Sequence, residues 1–125
     1  PFVDEQIYND ALNMFLKRDI KINDSLLSVV ELKTHLWHKV DNALVPMNYD
    51  PYGKTHPLAK TLEPIYYQDG AIFIQPHKQM LKNSYFFGRK PIHYIMSENQ
   101  ALDINTNYDY KVAKSIAEWE NKEFM

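Results

Sequence analysis

The sequence of 125 residues contains no cysteine, which excludes disulfides, thiolate nucleophiles and thiolate metal sites. That absence, together with the lack of a charged-then-apolar leader segment, leads us to expect a cytoplasmic protein. Only three glycines are present, Gly53, Gly70 and Gly88, so neither a dinucleotide fingerprint nor a glycine-rich phosphate loop with its lysine can be assembled from them. No apolar run approaches the roughly 20 residues of a membrane helix, and no membrane partner is expected. Charge of one sign is also missing. Against 16 Asp and Glu stand 14 Lys and Arg, a net charge of -2, and the short basic run "KRDIK" does not create a field suited to nucleic acid. His35 and His38 would share a face only on a helix, whereas their segment reads as strand, so hydrogen-bonded or surface histidines are expected rather than a zinc site. None of Ser25, Ser28, Ser84, Ser97 and Ser115 lies in a strand-to-helix nucleophile elbow.

What is present reads as a single globular α/β domain over 1–125, a mixed sheet flanked by helices. Residues 4–17 carry Ile7, Ala11 and Phe15 at four-residue steps in line with Val3, which predicts a helix with one buried stripe, capped by Asp4. "SLLSVVEL" is β-branched and apolar after the break "IND". "LWHKV" and "ALVPM" read as two further strands divided by an Asp41-Asn42 turn. Residues 48–64, with Pro51, Gly53, Pro57 and Pro64 and no apolar period, read as a long loop. "IYYQDGAIFIQP" reads as two short strands around Gln68-Asp69-Gly70, the second apolar at every position and therefore expected at the centre of the sheet. A short helix at 77–83, a strand from Pro91, and a last helix from Tyr108 to about Lys122 complete the chain. That last helix aligns Val112, Ile116 and Trp119. Gly88-Arg89-Lys90 is expected as a turn between strands.

Ahead of the last helix, "ALDINTNYD" holds two separate signals. Thr106 and Asp109 have the spacing of a reciprocal helix cap. Asp103 and Asn105 lie before it. If 101–104 is a strand end, the two share the face opposite Leu102 and Ile104, and their oxygens suit a hard cation such as Mg2+. Asp and Asn are equally ordinary turn residues, so a turn without a ligand is the other reading.

The succession "DGAIFI", "YFFGRKPIHYIMSE" and "ALDINTNYDYKVAK" resembles the second half of the cytidylyltransferases that activate sialic acid and related nonulosonic acids as CMP sugars. The likeness extends more loosely over "DSLLSVVEL", "HLWHKVDNALVPMNYD" and "KTLEPIYYQDG". It implies a partial nucleotide-diphospho-sugar transferase-like fold, Rossmann-like and three-layered. "PFVDEQIYNDALNMF" looks like the residues after the family's central Thr-Ser turn, so a carboxy-terminal fragment without the triphosphate loop is expected, inactive alone.

The resemblance further implies CTP and a nonulosonic acid as substrates of the complete enzyme, and a homodimer in which residues of about 32–64 form the dimerisation and loop region. Asp103 and Asn105 match the family's metal-site acids, with Asn105 a departure from Asp that removes one unit of charge. Phe86 and Phe87 match an aromatic pair that packs on the N-acyl group of the sugar; two core phenylalanines on opposite faces of a strand are the structural alternative. Phe73 matches a pocket tyrosine and lacks its hydroxyl. Asp69 replaces an asparagine that would face the substrate carboxylate; the family's basic residues for that carboxylate find no clear match near "PLAKTLEP", where Lys60 could substitute. A reading from another class also stands: a nonenzymatic α/β interaction module with an aromatic binding face, for which nine tyrosines, six phenylalanines and two tryptophans are available.

Overall fold

The structure is a computed structural model that describes residues 1–53 and 56–123. It is α/β, with a mixed three-stranded sheet in which β1 (Ser25–Leu32) lies between β4 (Ile65–Ile74) and β5 (Pro91–Ile95), flanked by helices in a Rossmann-like manner. The chain forms two compact units, Pro1–Val30 with Gln68–Met125, and Glu31–Tyr67.

In the first unit, α1 (Glu5–Leu16) begins where the Asp4 side chain accepts the Ile7 amide at 3.0 Å. Its stripe of Ile7, Ala11 and Phe15 is buried, as its four-residue spacing predicts, and packs with Leu26 and Val30 of β1 (Ser25–Leu32), Ile72, Met96 and Ala101. β5 (Pro91–Ile95) runs parallel to β1, with Ser25 beside Pro91 and Val29 beside Ile95. α2 (His77–Asn83) and α4 (Asn107–Glu123) fall where the sequence places helices. On α4, Ala113 is buried, whereas Trp119, expected on the packed face, is 67% exposed.

Two expectations are corrected here. The run 65–74 is one ten-residue strand, β4 (Ile65–Ile74), not two: Gly70 takes a φ of +77° inside it, a conformation open to a residue without Cβ. β4 also lies at the side of the described sheet, and β1 is the central strand. Leu26, Val29 and Val30 of β1 are buried, but Ser25 and Ser28 interrupt its apolar run, and both serines are fully buried with hydroxyls bonded inside the protein. Internal satisfaction of those hydroxyls is what lets a broken apolar pattern occupy the middle of a sheet.

A third correction concerns 101–104. Ala101 ends a short helix, α3 (Glu98–Ala101), and no strand follows it. Ser97 and Gln100 form a capping box, the Ser97 hydroxyl accepting the Gln100 amide at 3.2 Å and the Gln100 side chain accepting the Ser97 amide at 3.1 Å. A strand tail would need a neighbour to take its ladder bonds, and the capping box instead turns the chain locally.

In the second unit, β2 (Trp37–Val40) and β3 (Ala43–Pro46) pair antiparallel around Asp41 and Asn42, at φ values of 48° and 70°. Two successive positive φ values match the right-handed twist of a two-residue hairpin. The Asn48 side chain ties the base of this hairpin, accepting the Leu36 amide at 3.1 Å and donating to the Thr34 carbonyl at 2.7 Å. His35 stacks on His56 with ring centroids 4.4 Å apart, and Tyr49 meets both edge-on. The expected long loop holds one 3-10 turn, Ala59–Thr61. Among the described residues, no helix is long and apolar enough to cross a membrane.

Candidate functional site

In the first unit, a cleft of about 290 Å3 is lined by Asp69, Gly70 and Ala71 of β4, by Tyr8 of α1, and by Gln100, Leu102 and Asp103 at and after the end of α3. Asp69 and Asp103, 34 positions apart by their numbers, therefore line one cleft. The described lining carries both carboxylates and no Lys, Arg or His side chain.

Each acid is held differently. Asp69 Oδ1 accepts the Ser28 hydroxyl and, at 2.9 Å, the Ala71 amide, while its Oδ2 is buried with no hydrogen-bond partner. The bond to Ala71 spans Gly70, so Asp69 also fixes the irregular step in β4. Asp103 is exposed, and its Oδ2 accepts the Asn105 side-chain amide at 3.0 Å. The two residues thus meet although 102–105 is irregular backbone, by a direct hydrogen bond and not by strand alternation. Asn105 in turn is anchored from α4: its backbone amide and that of Thr106 both donate to Asp109 Oδ2 at 3.0 Å, and Thr106 Oγ1 accepts the Asp109 amide at 3.1 Å. The expected reciprocal cap is present. Donation from the Asn105 amide, with the Thr106 hydroxyl adding to it, holds the Asp109 carboxyl below its usual range.

The chemistry of these donors suits a hard cation only in part. No group of three or more His, Asp or Glu side chains among the described residues converges as a metal cage. Asp103 and Asn105 offer one carboxylate and one amide, the sparse oxygen set that magnesium accepts when water and phosphate fill the rest of its shell. Asn105 now turns its nitrogen toward Asp103, and a half-turn of the amide exchanges nitrogen for oxygen.

The aromatic residues gather elsewhere in the same unit. Phe73, near the end of β4, stacks on Phe86 and Phe87 with centroids 5.2 Å and 5.8 Å apart, and Tyr85 meets both phenylalanines at 5.6 Å and 5.1 Å. Residues 84–90 form an irregular segment between α2 and β5, so Phe86 and Phe87 are not opposite faces of a strand, and Gly88-Arg89-Lys90 turns from a helix into a strand. Phe86 is 63% exposed, which leaves an apolar surface open. None of Phe73, Phe86 and Phe87 lines the cleft of Asp69 and Asp103. Lys60 is exposed in the 3-10 turn of the other unit.

Several residues that shape the site carry no motif in the sequence: Ser28 behind Asp69, Gln100 in the cleft wall, and Asp24, whose bonds reach the 88–90 turn.

No family model matches the sequence. Over 58 residues the chain is 36% identical to the N-acylneuraminate cytidylyltransferase of Escherichia coli O18:K1:H7 (strain RS218 / NMEC), a likeness covering 46% of this chain and 14% of that protein. This chain is therefore similar, over about half its own length, to a small part of that cytidylyltransferase.

Proposed function

We propose that this chain is part of a cytidylyltransferase that joins CTP to a sialic-acid-like nonulosonic acid, giving a CMP sugar and pyrophosphate. The observation that carries the reading is the partial likeness to the Escherichia coli enzyme. The meeting of Asp103 with Asn105 and the shared cleft of Asp69 and Asp103 support it.

In the proposed reaction the 2-hydroxyl oxygen of the sugar bonds to the α-phosphorus of CTP and gives up its proton to solvent, while the bond from that phosphorus to the β-phosphate bridge breaks, releasing pyrophosphate. Magnesium held by Asp103 and Asn105 would supply positive charge where negative charge develops. Asp109, itself bonded to the Thr106 hydroxyl through its amide, holds the Asn105 backbone, so the pair is set in place before substrate arrives. The stack of Phe73, Phe86 and Phe87 offers an apolar seat for an N-acyl methyl. Asp69 disfavours a bare substrate carboxylate close by and favours a donor group on the sugar. In the whole enzyme, a triphosphate-binding part and a second copy that pairs through residues of about 32–64 would complete the site. Cytoplasmic location belongs to the same proposal.

The exposed rings of Tyr85 and Phe86 favour the second reading, a protein-binding module. One calorimetric titration separates the two: magnesium with CMP-N-acetylneuraminate, added to the chain and to Asp103→Ala. Heat that disappears in the variant supports the transferase; equal heat in both excludes the proposed metal pair.

A further inference from the structure

Asp24 stands between α1 and β1, and the polar groups around it converge on the segment that carries the aromatic cluster. Its carboxylate accepts the Arg89 and Lys90 amides, each at 3.1 Å, and the Ser25 hydroxyl at 2.8 Å. The fully buried Ser25 oxygen accepts the Gly88 amide at 3.0 Å. Backbone bonds reinforce the same contact, with the Asp24 amide donating to the Lys90 carbonyl at 3.1 Å. From α2, the Gln79 side chain donates to the Asp24 carbonyl at 3.2 Å and to Gln75 Oε1 at 3.0 Å. The Gln75 side-chain Nε2 donates to the Tyr85 carbonyl. The segment is fastened at both ends, at Tyr85 and at 88–90, and Phe86 and Phe87 lie between the fastenings.

Bonds from amides to an ionised carboxylate are stronger than neutral ones, and ring stacking alone is too weak to order an irregular segment against its conformational entropy. Gly88 is needed for the same approach: a Cβ there would overlap the Asp24 carboxylate. We infer that Asp24 is a positioning residue, whose carboxylate fixes the 88–90 turn and through it the stacking of Phe86 and Phe87 on Phe73. The inference deepens the proposed function, on which it rests only for the ligand, the acyl group of a nonulosonic acid.

The segment before Asp24 carries Lys17, Arg18, Asp19 and Lys21; Arg18 Nε donates to the Asn23 carbonyl at 3.0 Å, and the Asp19 carboxylate accepts the Lys21 amide at 2.9 Å. The turn adds Arg89 and Lys90, and α2, whose neutral Gln79 makes the contact, carries His77, Lys78 and Lys82.

Nuclear magnetic resonance on the chain tests this without a ligand. In acid, the Arg89 and Lys90 amide signals should shift with protonation of the Asp24 carboxyl, and the proton contacts of Phe73 with Phe86 and Phe87 should be lost in the same step. In Asp24→Asn, these signals should show no such step. In Asp24→Ala, exchange of the 88–90 amides should quicken by about tenfold or more while the β1–β5 amides stay protected. Amide signals that ignore the titration, or ring contacts that survive in Asp24→Ala, overturn the inference. Should Asp24→Ala fail to fold, the wild-type titration and Asp24→Asn decide it. A second arm adds N-acetylneuraminic acid with magnesium, and weaker sugar binding by Asp24→Asn is expected. A wild-type chain that binds no sugar counts against the cytidylyltransferase reading and leaves the clasp, read from ligand-free spectra, standing.

Discussion

The Ser28 hydroxyl, buried in the central strand, donates to the Asp69 carboxylate on β4 while accepting the Ile72 amide at 2.9 Å. One hydroxyl thereby satisfies two groups of the neighbouring strand and sets the acid at the cleft wall. Ser28→Ala would leave the Ile72 amide unpaired and Asp69 with a single donor, at an expected loss of about 1–3 kcal/mol. Asp69→Asn should unfold at a higher urea concentration than Asp69→Ala, because it keeps an oxygen for Ser28 and Ala71 and removes a buried, unpartnered carboxylate oxygen. Urea midpoints of the variants check both statements.

Gly88→Ala should destabilise the protein by about 1–3 kcal/mol, since the new methyl displaces a carboxylate that is bonded to two amides and a hydroxyl. The two losses should not add. With the Asp24 carboxylate already removed, the alanine finds space, so Gly88→Ala in an Asp24→Ala background should cost less than in the wild type. Thermal unfolding of the four proteins measures the coupling, and strict additivity would contradict the overlap.

Partial burial raises the Asp24 carboxyl, but hydrogen bonds from the Ser25 hydroxyl and the Lys90 and Arg89 amides outweigh it and hold the group below 3.8. The folded state then binds this proton more weakly than the unfolded chain does. The stabilisation is full well above pH 3.8 and is lost as the pH falls through the depressed folded value. Asp109 is lowered too and works in the same direction. Acid unfolding followed by circular dichroism should therefore be shallower in Asp24→Asn than in the wild type.

Capping and metal binding are separable within "DINTNYD". Thr106→Ala removes the acceptor of the Asp109 amide and should cost about 1 kcal/mol of stability, as a lost helix cap does. Asp103→Ala, at an exposed position, should alter stability by less than about 0.5 kcal/mol and should abolish any magnesium-dependent heat. Thermal melts paired with magnesium titration would expose a reversal of this pattern.

The residues of α1, its Asp4 cap, the hairpin turn at Asp41-Asn42 and the reciprocal cap of Thr106 with Asp109 were all legible in the sequence, because each depends on partners within a few positions. Periodicity of 3.6 and fixed cap offsets are local quantities. The position of β1 at the sheet centre was not legible, because Ser25 and Ser28 look polar until their partners, Gly88 and Asp69, arrive from 63 and 41 positions away. Ala101–Ile104 misled in the opposite sense: its alternation suggests a strand, but the Ser97–Gln100 capping box closed a helical turn first. Residue order is enough to say which side chains carry oxygen and aromatic chemistry, and it keeps Asp103 near Asn105. Tertiary structure alone decided that Asp69 shares a cleft with Asp103 and that Phe73 stacks with Phe86 and Phe87, since contacts between distant segments are set by how strands and helices pack, which no local pattern encodes.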